Sequence, residues 1–227
     1  MNAELLPRAE VSTSENPEFA VIWLHGLGAD GSDFVPIVPE LGLDEGLSIR
    51  FIFPDAPAIP VTCNGGYVMP AWYDIISLDA TNRVVDEPGI WSARNSIRDL
   101  IALENQRGIP CSNIVLAGFS QGGAMAYTTA LTHPEKLAGL IALSTYLPSE
   151  TLLTSEATEA NQTLNIFAGH GTDDDVVSMA LGCRARDVVT EYGCKIDWHE
   201  YTIGHSVCIE EIRDIGRWLQ RQLHRKS

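Results

Sequence analysis

Short, almost wholly apolar runs recur along the chain at residues 19–24, 48–53, 114–117, 137–143 and 164–169. Strands buried on both faces of a parallel sheet read this way, because neither face can carry polar side chains. Residues 195–201 alternate instead, as a half-buried strand does. Between these runs the spacing turns helical. Residues 92–107 place Ile97, Leu100, Ile101 and Leu103 on one stripe, with Ser92 positioned as an N-cap. Residues 121–133 read as a small-residue helix stopped by Pro134, and residues 177–192 and 206–223 as two further helices. Strands alternating with helices predict an α/β fold, a mostly parallel sheet with helices on both faces. Residues 1–18 are polar and read as irregular chain or an edge strand. Residues 58–89 show little periodicity, yet Met69, Pro70, Ala71, Trp72, Tyr73, Ile75 and Ile76 are too apolar to lie idle in water. Long loops of this kind are usually functional, so this one is expected to cover a site and line it through Trp72, Ile75 and Ile76.

The run 114–117 passes without a linker into the helix at 121, and one serine stands at the junction, in Gly118-Phe119-Ser120-Gln121-Gly122. The spacing Gly-x-Ser-x-Gly is that of a nucleophile elbow, where a strand can turn sharply into a helix only if the serine's neighbours lack Cβ atoms. A serine so placed has a strained backbone and an exposed hydroxyl, and the next N–H opens a helix, where negative charge is stabilised. Gln121 N–H is thus one candidate oxyanion donor. The run 19–24 ends in His25-Gly26-Leu27-Gly28-Ala29-Asp30-Gly31, a glycine-rich loop that nominates Leu27 N–H as the second. Gly26, Gly28 and Gly31 match a dinucleotide-binding spacing only nominally, since no acidic residue follows at the end of a second strand in the expected place and His25 would crowd the first turn.

A serine hydroxyl needs a base, and the base needs a carboxylate. Of the late histidines, His224 lies in a basic tail and His199 inside the alternating strand, whereas His205 follows Gly204 just beyond that strand's C-terminal end, where open α/β sheets assemble their sites. The acid is expected in the loop after the run 164–169, which offers Asp173, Asp174 and Asp175; spacing does not choose among them.

Composition narrows the picture. A chain of 227 residues with 45% hydrophobic content fits a single domain, 1–227, with a sizeable core. A net charge of −15 argues against a nucleic-acid partner and against docking on anionic membranes. No leader or membrane span is read, which predicts a cytoplasmic protein without stable membrane insertion. Five cysteines, Cys63, Cys111, Cys183, Cys194 and Cys208, form no C-x-x-C pair and read as reduced thiols. No cofactor or metal is implied.

Taken together, His25-Gly26-Leu27-Gly28-Ala29-Asp30, Pro54-x-Ala56-Pro57, Met69-Pro70-Ala71-Trp72-Tyr73-Asp74, Gly118-Phe119-Ser120-Gln121-Gly122-Gly123, His170-Gly171-x-x-Asp174-x-Val176-Val177 and Gly204-His205 resemble the acyl-protein thioesterase, phospholipase and carboxylesterase family of small α/β-hydrolases. The resemblance runs nearly end to end. It implies a lidless α/β-hydrolase fold with a shallow apolar groove and hydrolysis of acyl esters or thioesters. A carboxylesterase of short to medium acyl esters is the favoured reading, with an acyl-protein thioesterase or lysophospholipase as the alternative. The resemblance also implies a Ser120, His205 and Asp174 triad, Leu27 and Gln121 as oxyanion donors, and Val177 among the substrate-contacting residues. The chain departs from the family pattern at Ser178, where proline is usual, and at Thr145, where glycine is common; neither belongs to the implied triad. A hydrolase-fold binding protein without turnover and a peptidase are the competing readings. The apolar loop would also serve a homodimer contact.

Overall fold

The structure is a computed structural model and describes residues 5–78, 83–149 and 155–224. With strands numbered in chain order, the central sheet runs β1 (Arg8–Ser12), β3 (Ile49–Pro54), β2 (Phe19–Leu24), β8 (Ile114–Phe119), β9 (Gly139–Leu143), β10 (Asn165–Gly171) and β11 (Lys195–Tyr201). Within this sheet, among the described residues, only β1 is antiparallel to its neighbour, and the other pairings are parallel. The chain moves outward from β2 to β3, then crosses back to β8 and continues the other way. This reversal opens a crevice at the C-terminal ends of β2 and β8, the place where open α/β sheets bind ligands.

The apolar runs are continuous because both faces of the sheet are covered. Ala20, Ile22 and Leu24, with Ile114, Leu116, Leu140 and Ile166, face one core. There they meet the buried stripes of α1 (Glu87–Gln106), α2 (Gln121–Thr132) and α3 (Met179–Tyr192). The alternate positions Val21, Trp23, Val115, Ile141 and Phe167 face the other core, against a 3-10 segment, Gly31–Leu41, and α4 (Ile209–His224). No large lid insertion is present among the described residues.

Three expectations are corrected. Ser92 does not cap α1, which begins at Glu87; Pro88 sits in the first turn, where its missing N–H has no intrahelical acceptor to lose, and Asp86 O accepts from Ile90 N at 3.1 Å. The loop 58–89 is more regular than its pattern suggests, forming the hairpins β4 (Ala58–Val61) with β5 (Tyr67–Pro70) and β6 (Ile75–Leu78) with β7 (Arg83–Val85). These strands are only three or four residues long, too short for a period of two to register in the sequence, and a register shift between Ile75 and Ser77 interrupts β6; residues 79–82 of that loop lie outside the described residues, as do Arg225 and Lys226 of the basic tail. The helix expected from Val177 starts at Met179, because the Val176 and Val177 amides are taken by Asp174.

Glu211, in the first turn of α4, is only 1% exposed and lies against Gly169, where an added Cβ would stand 2.2 Å from its Oε1. Burial pushes its carboxyl up from 4.5 to about 8. The folded chain thus holds it neutral at a pH where the unfolded chain has ionised it, so its contribution to stability is present below pH 4.5 and lost as pH rises through 8. Glu211→Gln should therefore match the parent in thermal melts near pH 4.5 and gain on it with rising pH, by roughly 3 to 5 kcal/mol at the plateau. A gap that stays constant with pH would show the carboxyl to be charged in the folded protein.

Candidate active site

The elbow forms where β8 meets α2. Ser120 has φ 54° and ψ −121°, outside the comfortable regions for a residue with a side chain. Two close approaches hold it there. A Cβ on Gly118 would lie 2.3 Å from Gly122 O, and one on Gly122 would lie 2.3 Å from Leu24 O and 2.4 Å from His25 O. The glycines clear each other, as the spacing suggests, and the second also lets α2 seat against the end of β2.

From this turn Ser120 Oγ–H donates to His205 Nε2 at 2.9 Å, and His205 Nδ1–H donates to Asp174 Oδ2 at 2.7 Å. Asp174 Oδ1 accepts from Val176 N at 2.9 Å and Val177 N at 2.8 Å, so both carboxylate oxygens are occupied and the group cannot turn. Among the three adjacent aspartates, Asp174 alone is buried; Asp173 and Asp175 are exposed. An aligned chain of this kind can take the serine proton and hold the resulting imidazolium. Phe119 packs its ring 4.7 Å from that of His205 and limits its swing.

The donors nominated by the sequence converge on the same place. Gln121 N–H is the first of α2 and has no acceptor within it. Leu27 sits in a loop held by Gly28 N to Pro70 O at 2.8 Å and Ala29 N to Gly26 O at 3.3 Å. Leu27, Ser120, Gln121 and His205 all line one cleft of about 470 Å³, walled by Phe34, Ile37, Ile75, Leu78, Phe119 and Val176.

The substrate wall differs from expectation. Ile75 lines the cleft, but Trp72 does not: it is 2% exposed, and its Nε1–H donates to His25 O at 2.9 Å. Its backbone N–H donates to Gln121 Oε1 at 2.9 Å, and Gln121 Nε2 donates to Tyr73 O at 2.8 Å, so this stretch braces the elbow from behind. Ile76 points outward at 46% exposure and is not part of the wall. Val177 is wholly buried; its neighbour Val176 takes the place in the cleft. Strand alternation accounts for the first pair, since Ile75 and Ile76 must face opposite ways.

Two histidines outside the triad brace its loops, a role the sequence reading missed. His25 Nε2 accepts from Ala56 N at 3.0 Å and its Nδ1–H donates to Gly26 O at 2.7 Å. His170 Nε2–H donates to Val177 O at 2.8 Å, closing the Asp174 turn. Burial lowers the pKa of both, so they serve as neutral hydrogen-bonding groups. Phe34 and Ile37, also missed, were legible in the helical spacing of Phe34, Ile37 and Leu41, but Pro36 and Pro39 disguise it. Arg83 lines the cleft too, its Nη2 donating to Val176 O at 2.6 Å and its guanidinium 4.4 Å over the Tyr146 ring.

Among the described residues, the group that could hold a metal ion is Cys111, His133 and Glu135, with donor atoms within 4.8 Å of one another. It lies at the far end of β8 and α2, roughly 20 Å of strand away from the elbow, so an ion there would not reach the cleft. Burial raises the Cys111 thiol and lowers His133.

A serine, histidine and aspartate chain at the switch point of a parallel sheet, beside an apolar cleft, defines a serine hydrolase of the α/β-hydrolase kind. Residues 7–223 match the family described as Phospholipase/Carboxylesterase, and the chain belongs to that family. It is 41% identical over 211 residues to an acyl-protein thioesterase 1 of Neurospora crassa, covering 89% of this chain and 86% of the relative. To the protein of that name from Yarrowia lipolytica it is 38% identical over 207 residues, covering 89% and 91%. The crystal structure of Arabidopsis thaliana SOBER1 superposes with a TM-score of 0.85 at 32% identity, covering 90% of this chain and 99% of that one. The chain is thus a serine hydrolase acting on esters or thioesters.

Trp72→Phe tests the bracing role. It removes the donor to His25 O and should lower stability by about 1 to 3 kcal/mol in a denaturant melt while leaving KM for an acyl ester nearly unchanged. A large rise in KM without loss of stability would return Trp72 to the substrate wall.

Proposed function

We propose that the chain acts as a single hydrolase domain in which Ser120, His205 and Asp174 carry a two-step acyl transfer. The observation that carries this reading is the pair of hydrogen bonds of 2.9 and 2.7 Å linking Ser120, His205 and Asp174 at the mouth of the cleft. Ser120 Oγ attacks the acyl carbonyl as His205 Nε2 takes its proton, and the oxyanion is held by Leu27 and Gln121 N–H. The tetrahedral intermediate collapses, His205 passes the proton to the departing alcohol or thiol, and the acyl group remains on Ser120. Water then repeats the sequence and the carboxylic acid leaves. Asp174 keeps the imidazole in the tautomer this requires and stabilises its charged form.

Carboxylic esters of short to medium acyl chains are the favoured substrates, supported by the modest cleft with Phe34, Ile37, Ile75, Leu78 and Val176 as acyl contacts. Acyl-protein thioester hydrolysis is the second reading, favoured by the name carried by the relatives at 38% and 41% identity. Ile76, Leu78, Val84 and Val176 are exposed apolar positions, of which Leu78 and Val176 line the cleft; exposed apolar side chains of this kind also suit contact with a second copy. The five unpaired cysteines support a reducing, cytoplasmic setting.

Ser120→Ala should lower kcat about 10⁴-fold or more with the fold intact, and Asp174→Asn similarly, whereas Asp173→Asn and Asp175→Asn should cost less than about tenfold. The assay is a p-nitrophenyl ester series from acetate to palmitate beside a palmitoyl thioester, with a fluorophosphonate mapped by mass spectrometry. Preference for short esters supports the carboxylesterase reading, and preference for the long thioester the second one. Turnover by Ser120→Ala, or label elsewhere, would overturn the assignment.

A further inference from the structure

The peptide unit joining Ser120 to Gln121 has two ends with different duties. Its peptide bond is trans, so Ser120 C=O and Gln121 N–H lie in one plane and point in opposite directions. Whatever fixes the carbonyl therefore aims the N–H. That carbonyl accepts two hydrogen bonds: from Ala124 N at 3.1 Å, within the first turn of α2, and from Thr145 Oγ1 at 2.6 Å.

Thr145 stands just beyond the end of β9 and is 3% exposed. The chain reaches it through Ser144, which takes φ 44° and is anchored by its N–H to Gly169 O at 2.8 Å. Ser120 N–H donates to Leu143 O at 2.9 Å. The elbow residue is thus gripped at both backbone polar atoms by the exit of β9. The Thr145 side chain also packs on Gly123, where an added Cβ would lie 2.7 to 2.8 Å from its Cβ, Cγ2 and Oγ1. Packing and hydrogen bonding are separate duties, and they can be separated by substitution.

We propose that Thr145 is a positioning residue for catalysis: its hydroxyl sets the tilt of the Ser120–Gln121 peptide and so aims Gln121 N–H at the oxyanion of the tetrahedral intermediate. This rests on the reading of Gln121 as an oxyanion donor. A hydrogen bond donated to the carbonyl also polarises the N–H across the same amide, making it a better donor. The Ala124 bond alone leaves the plane free to tilt about its own axis. A strained residue with φ 54° has cause to use that freedom.

The test compares Thr145→Val, which keeps the shape and removes the hydroxyl, with Thr145→Ser, which keeps the hydroxyl and removes the methyl. Thr145→Val should lower kcat about tenfold, less than the 10²- to 10³-fold cost of losing a donor outright, with KM little changed. Affinity for a trifluoromethyl ketone, whose adduct places an oxyanion in the same hole, should fall by the same factor. Thr145→Ser should retain both. Wild-type kcat and ketone affinity in Thr145→Val would overturn the proposal, as would Thr145→Ser impaired as much as Thr145→Val, which would assign Thr145 to packing on Gly123. A wild-type protein that neither turns over esters nor labels at Ser120 would overturn the hydrolase mechanism itself, and this is seen before any Thr145 variant is compared.

Discussion

Ser120 carries the chain from β8 into α2 through a backbone conformation that costs energy, of order 1 to 3 kcal/mol, and its surroundings are arranged to hold it there. Gly118 and Gly122 let the strand, the helix and the end of β2 come into backbone contact. Leu143 O and Thr145 Oγ1 fix the residue's own amide and carbonyl. The Gln121 side chain reaches away from the turn to Trp72 and Tyr73, so the turn is tied to the loop behind it. If the turn relaxed, the serine hydroxyl would leave His205 and the helix N-terminus would leave the cleft.

The same logic extends outward through uncharged groups. His25 and His170 are buried and neutral; His25 spends both ring nitrogens, and His170 its Nε2, on loop backbone near the site. Charged groups in their places would carry a desolvation cost that the hydrogen bonds could not offset. The charged pairings lie elsewhere. Glu104 accepts from Arg50 at 2.7 Å and from Arg107 at 2.9 Å, and Arg107 also pairs with Glu10 at 3.0 Å, tying α1 to β3 and β1 on the side of the sheet away from β9. Near the triad the one cationic side chain lining the cleft among the described residues is Arg83, whose guanidinium is engaged by Val176 O and the Tyr146 ring, while both Asp174 oxygens are taken by His205 and the Val176 and Val177 amides.

The cleft joins a polar end, where Leu27, Ser120, Gln121 and His205 gather, to apolar walls drawn from three separate segments. Phe34 and Ile37 come from the 3-10 segment after β2, Ile75 and Leu78 from the β6 hairpin, and Val176 from the acid loop. Arg83 bridges two of these, since its bond to Val176 O links the β6–β7 hairpin to the turn that holds Asp174. The cleft wall on the hairpin and the position of Asp174 are therefore mechanically connected.

Much of this was legible in the chain before folding. Continuous apolar runs imply strands covered on both sides, because a parallel sheet with a wet face would expose them. Gly118 and Gly122 around Ser120 imply a backbone turn too tight for side chains, and the position of His205 past the end of β11 places it with the strand ends. These inferences hold because they depend on local sterics and on periodicity. Which of Asp173, Asp174 and Asp175 faces His205 was open to spacing alone, and is decided by the amides of Val176 and Val177. That Trp72 braces the elbow rather than lining the cleft, and that His25 and His170 hold loops, likewise depends on contacts between segments far apart in the chain. Periodicity states that a side chain is buried; only the packed structure decides against what, because burial is a property of the residue's surroundings and those are assembled from distant sequence.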